Sequence, residues 1–489
     1  MSGVRGAGSA VPLLAGVLMA AVTLLASTRA AAAEPNGKPS ADSTDPFAYL
    51  RADRMTMPSG AYRLALARRI PSFSRQTKLP CSACHYGFPE LTPFGRLFKL
   101  NGYTLTALPT IVGGDSARQT LELAPIPPAS AMVITSLTHL ETALPGTQND
   151  ATAFPEQFSV FLGGQITPKI GAFTQLTYAA DAGSVGIDNT ELRFADHATV
   201  GGRSMIYGVV LNNNPSMQDL WNTTPAWSFP FVTSSVAPSP LAATQIEGAL
   251  AQQVVGLGAY AMWDQTLYAE VSAYRTAQQG VAPPPGATSP NASRGLVPYW
   301  RLALQRTFGR NYLMVGTYGL TATLYPAGVS PFTNRFVDVG VDAQYERTVG
   351  TGVLIARTTY LHERQSLAGL VETAGDAAPP NLSDALDEFR INASYLPAPR
   401  FTLSAGFFTT TGTRDTALYA PGAISGSATG LPNSSGGIGE FDFNPWLNTR
   451  LGLQYVLYSK FNGASRAYDG AGRNAADNNT LYMFLWVAF

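Results

Sequence analysis

The sequence predicts an all-β transmembrane barrel, closed by sixteen antiparallel strands and preceded by a small helical and irregular segment. Three observations lead there. From about Ala131 onward, short segments alternate apolar and polar side chains at the roughly ten-residue length of a tilted membrane strand. Charged residues make up 13% of the chain, against about 25% in a typical soluble domain. Long and short connections alternate between the segments, the asymmetry of a barrel with periplasmic turns and extracellular loops.

The elements follow in chain order. Arg5, the apolar run Val11–Ala26 and the small residues Ala30–Ala33 read as an export signal over residues 1–33. A retained membrane helix is the competing reading. No later segment has the ~18 uninterrupted apolar residues of a spanning helix. Residues 34–60 are rich in Pro, Asp, Ser and Gly and read as a flexible lead-in. Ala61–Ile70 is expected to form a short helix stopped by Pro71. The formal net charge is zero, so the basic patch of a nucleic-acid binder is not expected.

The chain has only two cysteines, and both stand in Cys81-Ser82-Ala83-Cys84-His85. Two thiols at this spacing, followed directly by histidine, form the attachment pattern of a c-type haem. Cys81 and Cys84 would bond the porphyrin vinyl groups, and His85 would ligate the iron. A disulfide between the two thiols is an alternative. Zinc is another, although only three ligands are local and structural zinc takes four. Residues 61–130 are thus read as a monohaem cytochrome c segment and linker. Phe88, Leu91, Phe94, Leu97, Phe98 and Leu100 are spaced to cover an apolar macrocycle, with Thr92 as N-cap and Pro93 as first helical residue. Arg75, Arg96 and Lys99 are available to propionates. The second axial ligand stays open among His139, His197, His362, Met55, Met57 and Met132, or an open position.

Residues 131–489 are assigned to the barrel. The clearest strands are Phe158–Ile166, Gly171–Ala180, Met205–Leu211, Val254–Met262, Thr266–Arg275, Trp300–Thr307 and Tyr312–Leu324. They continue with Phe336–Glu346, Gly350–Leu361, Phe389–Leu396, Phe401–Thr409, Leu451–Ser459 and Leu481–Phe489. Three weaker ones, Ala131–Leu137, Asn189–Asp196 and Gly439–Pro445, bring the count to an even sixteen and put both ends of the barrel on the periplasmic side. A soluble barrel or sandwich is the alternative.

The segment from Arg75-Gln76-Thr77 through the haem pentapeptide to Phe88–Tyr103 resembles the fused monohaem cytochrome–porin family, the outer-membrane iron-oxidising cytochromes. The terminal Phe489 likewise resembles the end of outer-membrane barrel proteins. Ser74 and Lys78 stand where typical members are expected to carry Ala and Gly. The resemblance implies an outer-membrane protein with a periplasmic N-terminus and extracellular long loops, its cytochrome segment plugging or entering the pore. It implies one covalently bound haem c on Cys81, Cys84 and His85, with His85 the proximal ligand at the redox centre. It implies oxidation of extracellular Fe(II) and transfer of electrons to a periplasmic cytochrome or other carrier. A haem-plugged porin, or an outward-directed protein reducing extracellular acceptors, is the alternative function. No Ser/His/Asp constellation supports a hydrolase, because the four histidines are scattered.

Overall fold

The computed structural model describes residues 71–107, 111–113, 121–123, 128–180, 183–276, 291–326, 331–375, 379–398 and 400–489. All lie in the compact unit Leu66–Phe489. The expected export signal, lead-in, Ala61–Ile70 helix, Met55 and Met57 lie outside the described residues.

Sixteen antiparallel strands form the closed barrel. The first seven are β1 (Ala129–Leu140), β2 (Ala151–Thr167), β3 (Ile170–Ala179), β4 (Ser184–Val200), β5 (Arg203–Asn212), β6 (Val254–Trp263) and β7 (Leu267–Thr276). Then come β8 (Val297–Phe308), β9 (Asn311–Tyr325), β10 (Asn334–Val349), β11 (Gly352–Ser366) and β12 (Ser383–Ala398). The last four are β13 (Phe401–Gly412), β14 (Ser434–Trp446), β15 (Thr449–Lys460) and β16 (Thr480–Ala488). Each strand pairs with its sequence neighbours, and β16 returns to β1 from Thr480 opposite Leu140 to Ala488 opposite Met132. Closure leaves no sheet edge, the condition for strands to cross lipid. A two-residue piece, Ala292–Ser293, extends the sheet beside Tyr325 and Leu324.

The alternation expected from sequence is visible in the burial. On β7, Tyr268, Glu270, Ser272 and Tyr274 are buried inside, whereas Val271 points outward and is 64% exposed. On β10, Asp338, Asp342, Gln344 and Glu346 face inward and are buried, while Val339 is exposed. Apolar side chains face out and polar ones face in, the inverse of a soluble protein and the pattern of a lipid-embedded barrel. No helix among the described residues is long and apolar enough to cross a membrane.

All sixteen expected strands are present, and most are longer than the sequence pattern suggests. The largest extension at a single end is in β2, which starts at Ala151 rather than Phe158. Pro155 hides it, because proline donates no ladder bond and rarely lies inside a strand. The β1–β2 register shifts there, between Ile134 paired with Gln157 and Ser136 paired with Ala153. β4 also begins earlier than expected, at Ser184, and β14 at Ser434.

The short turns, at 168–169, 201–202, 264–266, 309–310, 350–351 and 447–448, gather at one end with the start of β1 and the end of β16. The connection 213–253 does not stay at the other end. It folds into the lumen, where the Trp221 indole donates to the Tyr312 hydroxyl at 2.6 Å, the Thr223 hydroxyl bonds Asp342, and the Ile246 amide donates to Asp338 at 2.8 Å.

Residues 71–107 also lie inside the barrel, at the short-turn end. They carry α1 (Ser72–Thr77), α2 (Cys81–Cys84) and α3 (Pro93–Leu100). The Tyr86 hydroxyl donates to Glu346 at 2.7 Å, the Tyr260 hydroxyl to the Leu100 carbonyl at 2.6 Å, and Arg357 to Glu90 at 2.6 Å. The wall makes room for this chain: a Cβ on Gly171 of β3 would run into the Gly102 carbonyl oxygen.

Candidate functional site

The local chain geometry of 71–103 follows from its caps. Pro71 opens α1, and Lys78 closes it in the left-handed region at φ 58°. Pro80 then precedes the single turn Cys81–Cys84, in which the His85 amide donates to the Cys81 carbonyl at 2.9 Å. A one-turn helix brings residues three apart to the same side, so Cys81 and Cys84 both reach one cavity. Thr92 caps α3 as expected, its hydroxyl oxygen accepting from the Gly95 amide at 3.1 Å. The same hydroxyl donates to the Ala83 carbonyl at 2.6 Å, which ties α3 to the cysteine turn. Gly95 allows the approach: a Cβ there would collide with the Cys84 carbonyl oxygen.

The cavity has a volume of about 340 Å³, inside the ~300–1,000 Å³ range of cofactor pockets. Cys81, Cys84 and His85 line it, and both thiols are free. Its walls are mainly apolar and include several aromatic rings. Phe73 and Phe98 come from the segment, Phe161 and Phe173 from β2 and β3, Trp227 from the inward loop, and Trp486 from β16. Phe73 packs edge-on to Phe98 at 5.1 Å and stacks on Tyr103 at 5.1 Å. Phe88 bridges His85 and Trp486, with ring centroids 5.4 Å from each. The apolar inner face of β16, odd for a polar-lined barrel, is explained by this contact.

The His85 ring is oriented by its Nδ1, 3.3 Å from the Pro89 carbonyl oxygen. With the Nδ1 proton donated there, Nε2 keeps a free lone pair, the arrangement of metal-binding histidines. Burial pushes the imidazole pKa down to about 4, against the raising effect of the Pro89 and Glu90 backbone, so the ring is neutral at physiological pH. Burial, reinforced by Cys81, raises the Cys84 thiol to about 12.

Several expected neighbours are elsewhere. Of the six apolar residues assigned to cover the macrocycle, Phe88, Leu91 and Phe98 line the cavity; Phe94, Leu97 and Leu100 do not. Arg96 is turned to Glu346 at 2.6 Å, and Arg75 to the Ala129 carbonyl. Lys99 does line the cavity, with its Nζ 2.6 Å from the Met217 carbonyl oxygen. Arg450 of β15 joins the lining and bonds Glu440 and Asp442. The histidines proposed as second ligand are all distant from it in role. His139 binds Asp150 at 2.6 Å, His362 binds Asp387 at 2.8 Å on the outward face of β11, and His197 binds Asn101 at 2.7 Å. Met132 lies behind Trp486, whose indole nitrogen is 3.1 Å from its sulfur. None of the four lines the cavity.

Several lumen carboxylates are matched by arginines, as in Arg301 with Asp342 and Arg390 with Glu388 and Glu247. Among the described residues no group of three or more His, Cys, Asp or Glu side chains could hold a metal ion.

The chain forms a closed barrel of sixteen antiparallel strands with an apolar outer face. Solved structures similar to this chain include OmpT of Vibrio cholerae, at 11% identity and TM-score 0.40, over 74% of this chain and 96% of that one. An anion-selective porin from Comamonas acidovorans matches at 10% identity and TM-score 0.43, over 74% and 98%. OmpF of Salmonella typhi in complex with daunomycin matches at 12% identity and TM-score 0.42, over 74% and 97%. No protein-family model matches the sequence, and no curated protein matches it.

Proposed function

We propose that this chain is an outer-membrane electron conduit with one covalently attached haem, taking electrons from extracellular Fe(II) and passing them to a periplasmic carrier. The observation that carries this reading is the convergence of two free thiols and an imidazole on one largely apolar cavity inside the barrel.

The residues suit the group. Cys81 and Cys84 would hold it by thioether bonds, each formed by adding S–H across a vinyl group. His85 Nε2 would donate its lone pair to the iron while Pro89 holds Nδ1. Lys99 and Arg450 are the cations that line the cavity; Lys99 is bonded to the Met217 carbonyl and Arg450 to Glu440 and Asp442, and propionates would have to share them. The aromatic walls exclude water and set a low local polarity, one of the levers on haem potential. Bound there, haem supplies a one-electron couple that matches the single electron released when Fe(II) becomes Fe(III). The ferric product then stays outside the cell. The short-turn end is assigned to the periplasm by the general asymmetry of such barrels, so the cavity faces the carrier.

The test uses haem-loaded protein in sealed liposomes that enclose an oxidised soluble cytochrome. External Fe(II) should reduce the enclosed cytochrome with little leak of an entrapped small dye. Reduction by an external reducing dye, but not by Fe(II), would remove the iron assignment.

The barrel itself favours a second reading. Sixteen-stranded barrels enclose an aqueous channel in porins, and residues 71–107 would then be a redox-sensitive plug. That reading expects solute flux through reconstituted protein, changing with haem oxidation state.

A further inference from the structure

We propose that Met217 is the second axial ligand of the haem iron. The inference rests on the haem reading above and adds a residue that the haem-binding motif does not contain.

Met217 sits in the inward-folded connection 213–253, is 4% exposed, and lines the same cavity as His85. Haem iron takes histidine, thiolate, thioether or phenolate as axial partner. Among the described residues on the cavity wall, Met217 is the only methionine and His85 the only histidine. The two thiols are committed to the porphyrin. The lining phenols are engaged, Tyr86 with Glu346 and Tyr103 with Glu191. The Lys99 amine is spent on the Met217 carbonyl.

The backbone around Met217 is held in place from three sides. Its amide donates to the Asn214 carbonyl at 3.2 Å, and Lys99 of α3 grips its carbonyl. Ser216 adopts φ 63°, a left-handed conformation that costs a non-glycine residue energy. The Trp227 indole nitrogen donates to the Ser216 hydroxyl at 3.2 Å. Beyond it, the Asp219 carboxylate gathers the amides of Trp221, Thr223 and Thr224 at 2.8–2.9 Å. A flexible thioether is thus carried on a fixed backbone at the cavity wall, and the Lys99 bond to the Met217 carbonyl links the long connection to the haem segment.

The experiment compares wild type, Met217→Leu, Met217→His and the control Met132→Leu, each produced in a host that attaches c-type haem. Covalent haem is counted on denaturing gels. Ligation is then read from the far-red thioether-to-iron absorption of the ferric protein and from the reduction potential. Wild type and Met132→Leu should show the thioether band. Met217→Leu should keep covalent haem, lose the band, bind added imidazole readily and fall in potential, because Met/His ligation raises it. Met217→His should give a bis-imidazole spectrum. Leucine conserves the volume, so a purely structural role would leave the band in Met217→Leu, and that result overturns the proposal. Wild type with covalent haem but no thioether band overturns it as well. Wild type without covalent haem overturns the haem reading, and the ligand assignment with it.

Discussion

The Arg96 guanidinium and the Glu346 carboxylate, 250 residues apart in sequence, meet at 2.6 Å with both side chains 5% exposed. Arg96 belongs to α3 of the inner segment and Glu346 to β10 of the barrel wall. Tyr86 donates to the second oxygen of the same carboxylate at 2.7 Å, and the Arg96 side chain lies 4.5 Å over the Tyr312 ring. Removing one partner of a buried pair typically costs about 3–5 kcal/mol, because the other charge is left uncompensated, whereas replacing both is often neutral.

Glu346→Leu or Arg96→Leu should therefore loosen residues 71–107 from the wall, while the double variant should hold them better than either single one. Ion conductance of the reconstituted protein is the measurement. Single variants should conduct more than wild type, and equal conductance in all four proteins would remove the pair from any role in seating the segment.

The cysteine turn depends on Gly95. Gly95→Ala places a methyl group against the Cys84 carbonyl, between two backbones that cannot both stay. Covalent haem per folded barrel should fall several-fold in this variant. Thr92→Ala loses the α3 cap and the bond to Ala83. It should weaken the unit by about 1 kcal/mol, the usual worth of an N-cap, and reduce haem loading less than Gly95→Ala does. The reverse ranking would contradict the close-packing argument.

In protein made without haem attachment, Cys84 should resist alkylation. Its thiol is raised to about 12 by burial, so the reactive thiolate is scarce at pH 8. Mass spectrometry after a short iodoacetamide pulse should find Cys84 largely unmodified in the folded state and modified after denaturation. Rapid labelling of Cys84 in the folded protein at pH 8 would show that the turn is open. Cys81→Ala with Cys84→Ala should leave the barrel folded and remove all covalent haem.

Val271 reports the lipid-facing surface. Val271→Arg should destabilise the barrel by up to about 2–4 kcal/mol in a bilayer, the cost of a cation near the membrane midplane. Reversible urea unfolding from liposomes measures it. A neutral effect would mean that this face of β7 does not meet hydrocarbon.

Much of the architecture was legible because the barrel obeys a period-2 rule that each strand states locally. Even the weak strand Gly439–Pro445 is recognisable from its place between a long connection and a short turn. What escaped notice was the start of β2, where Pro155 interrupts the pattern without ending the strand. The interior was less legible. The inward fold of 213–253 has no sequence period, since its residues bond to carboxylates supplied by distant strands, such as Asp338 and Asp342.

The sequence by itself determined the closed barrel, its strand order and the thiol–thiol–imidazole motif, because each is a pattern within ten or so residues. Only the tertiary structure decided where that motif sits and what surrounds it. It removed His139, His197, His362 and Met132 from the cavity and brought Met217, Arg450 and Trp486 to it. The physical reason is curvature. Closing the sheet puts residues from β2, β3, β15 and β16 on one wall, and the inner segment and the connection 213–253 fill the lumen between them. Those encounters join groups hundreds of residues apart, and no local spacing encodes them.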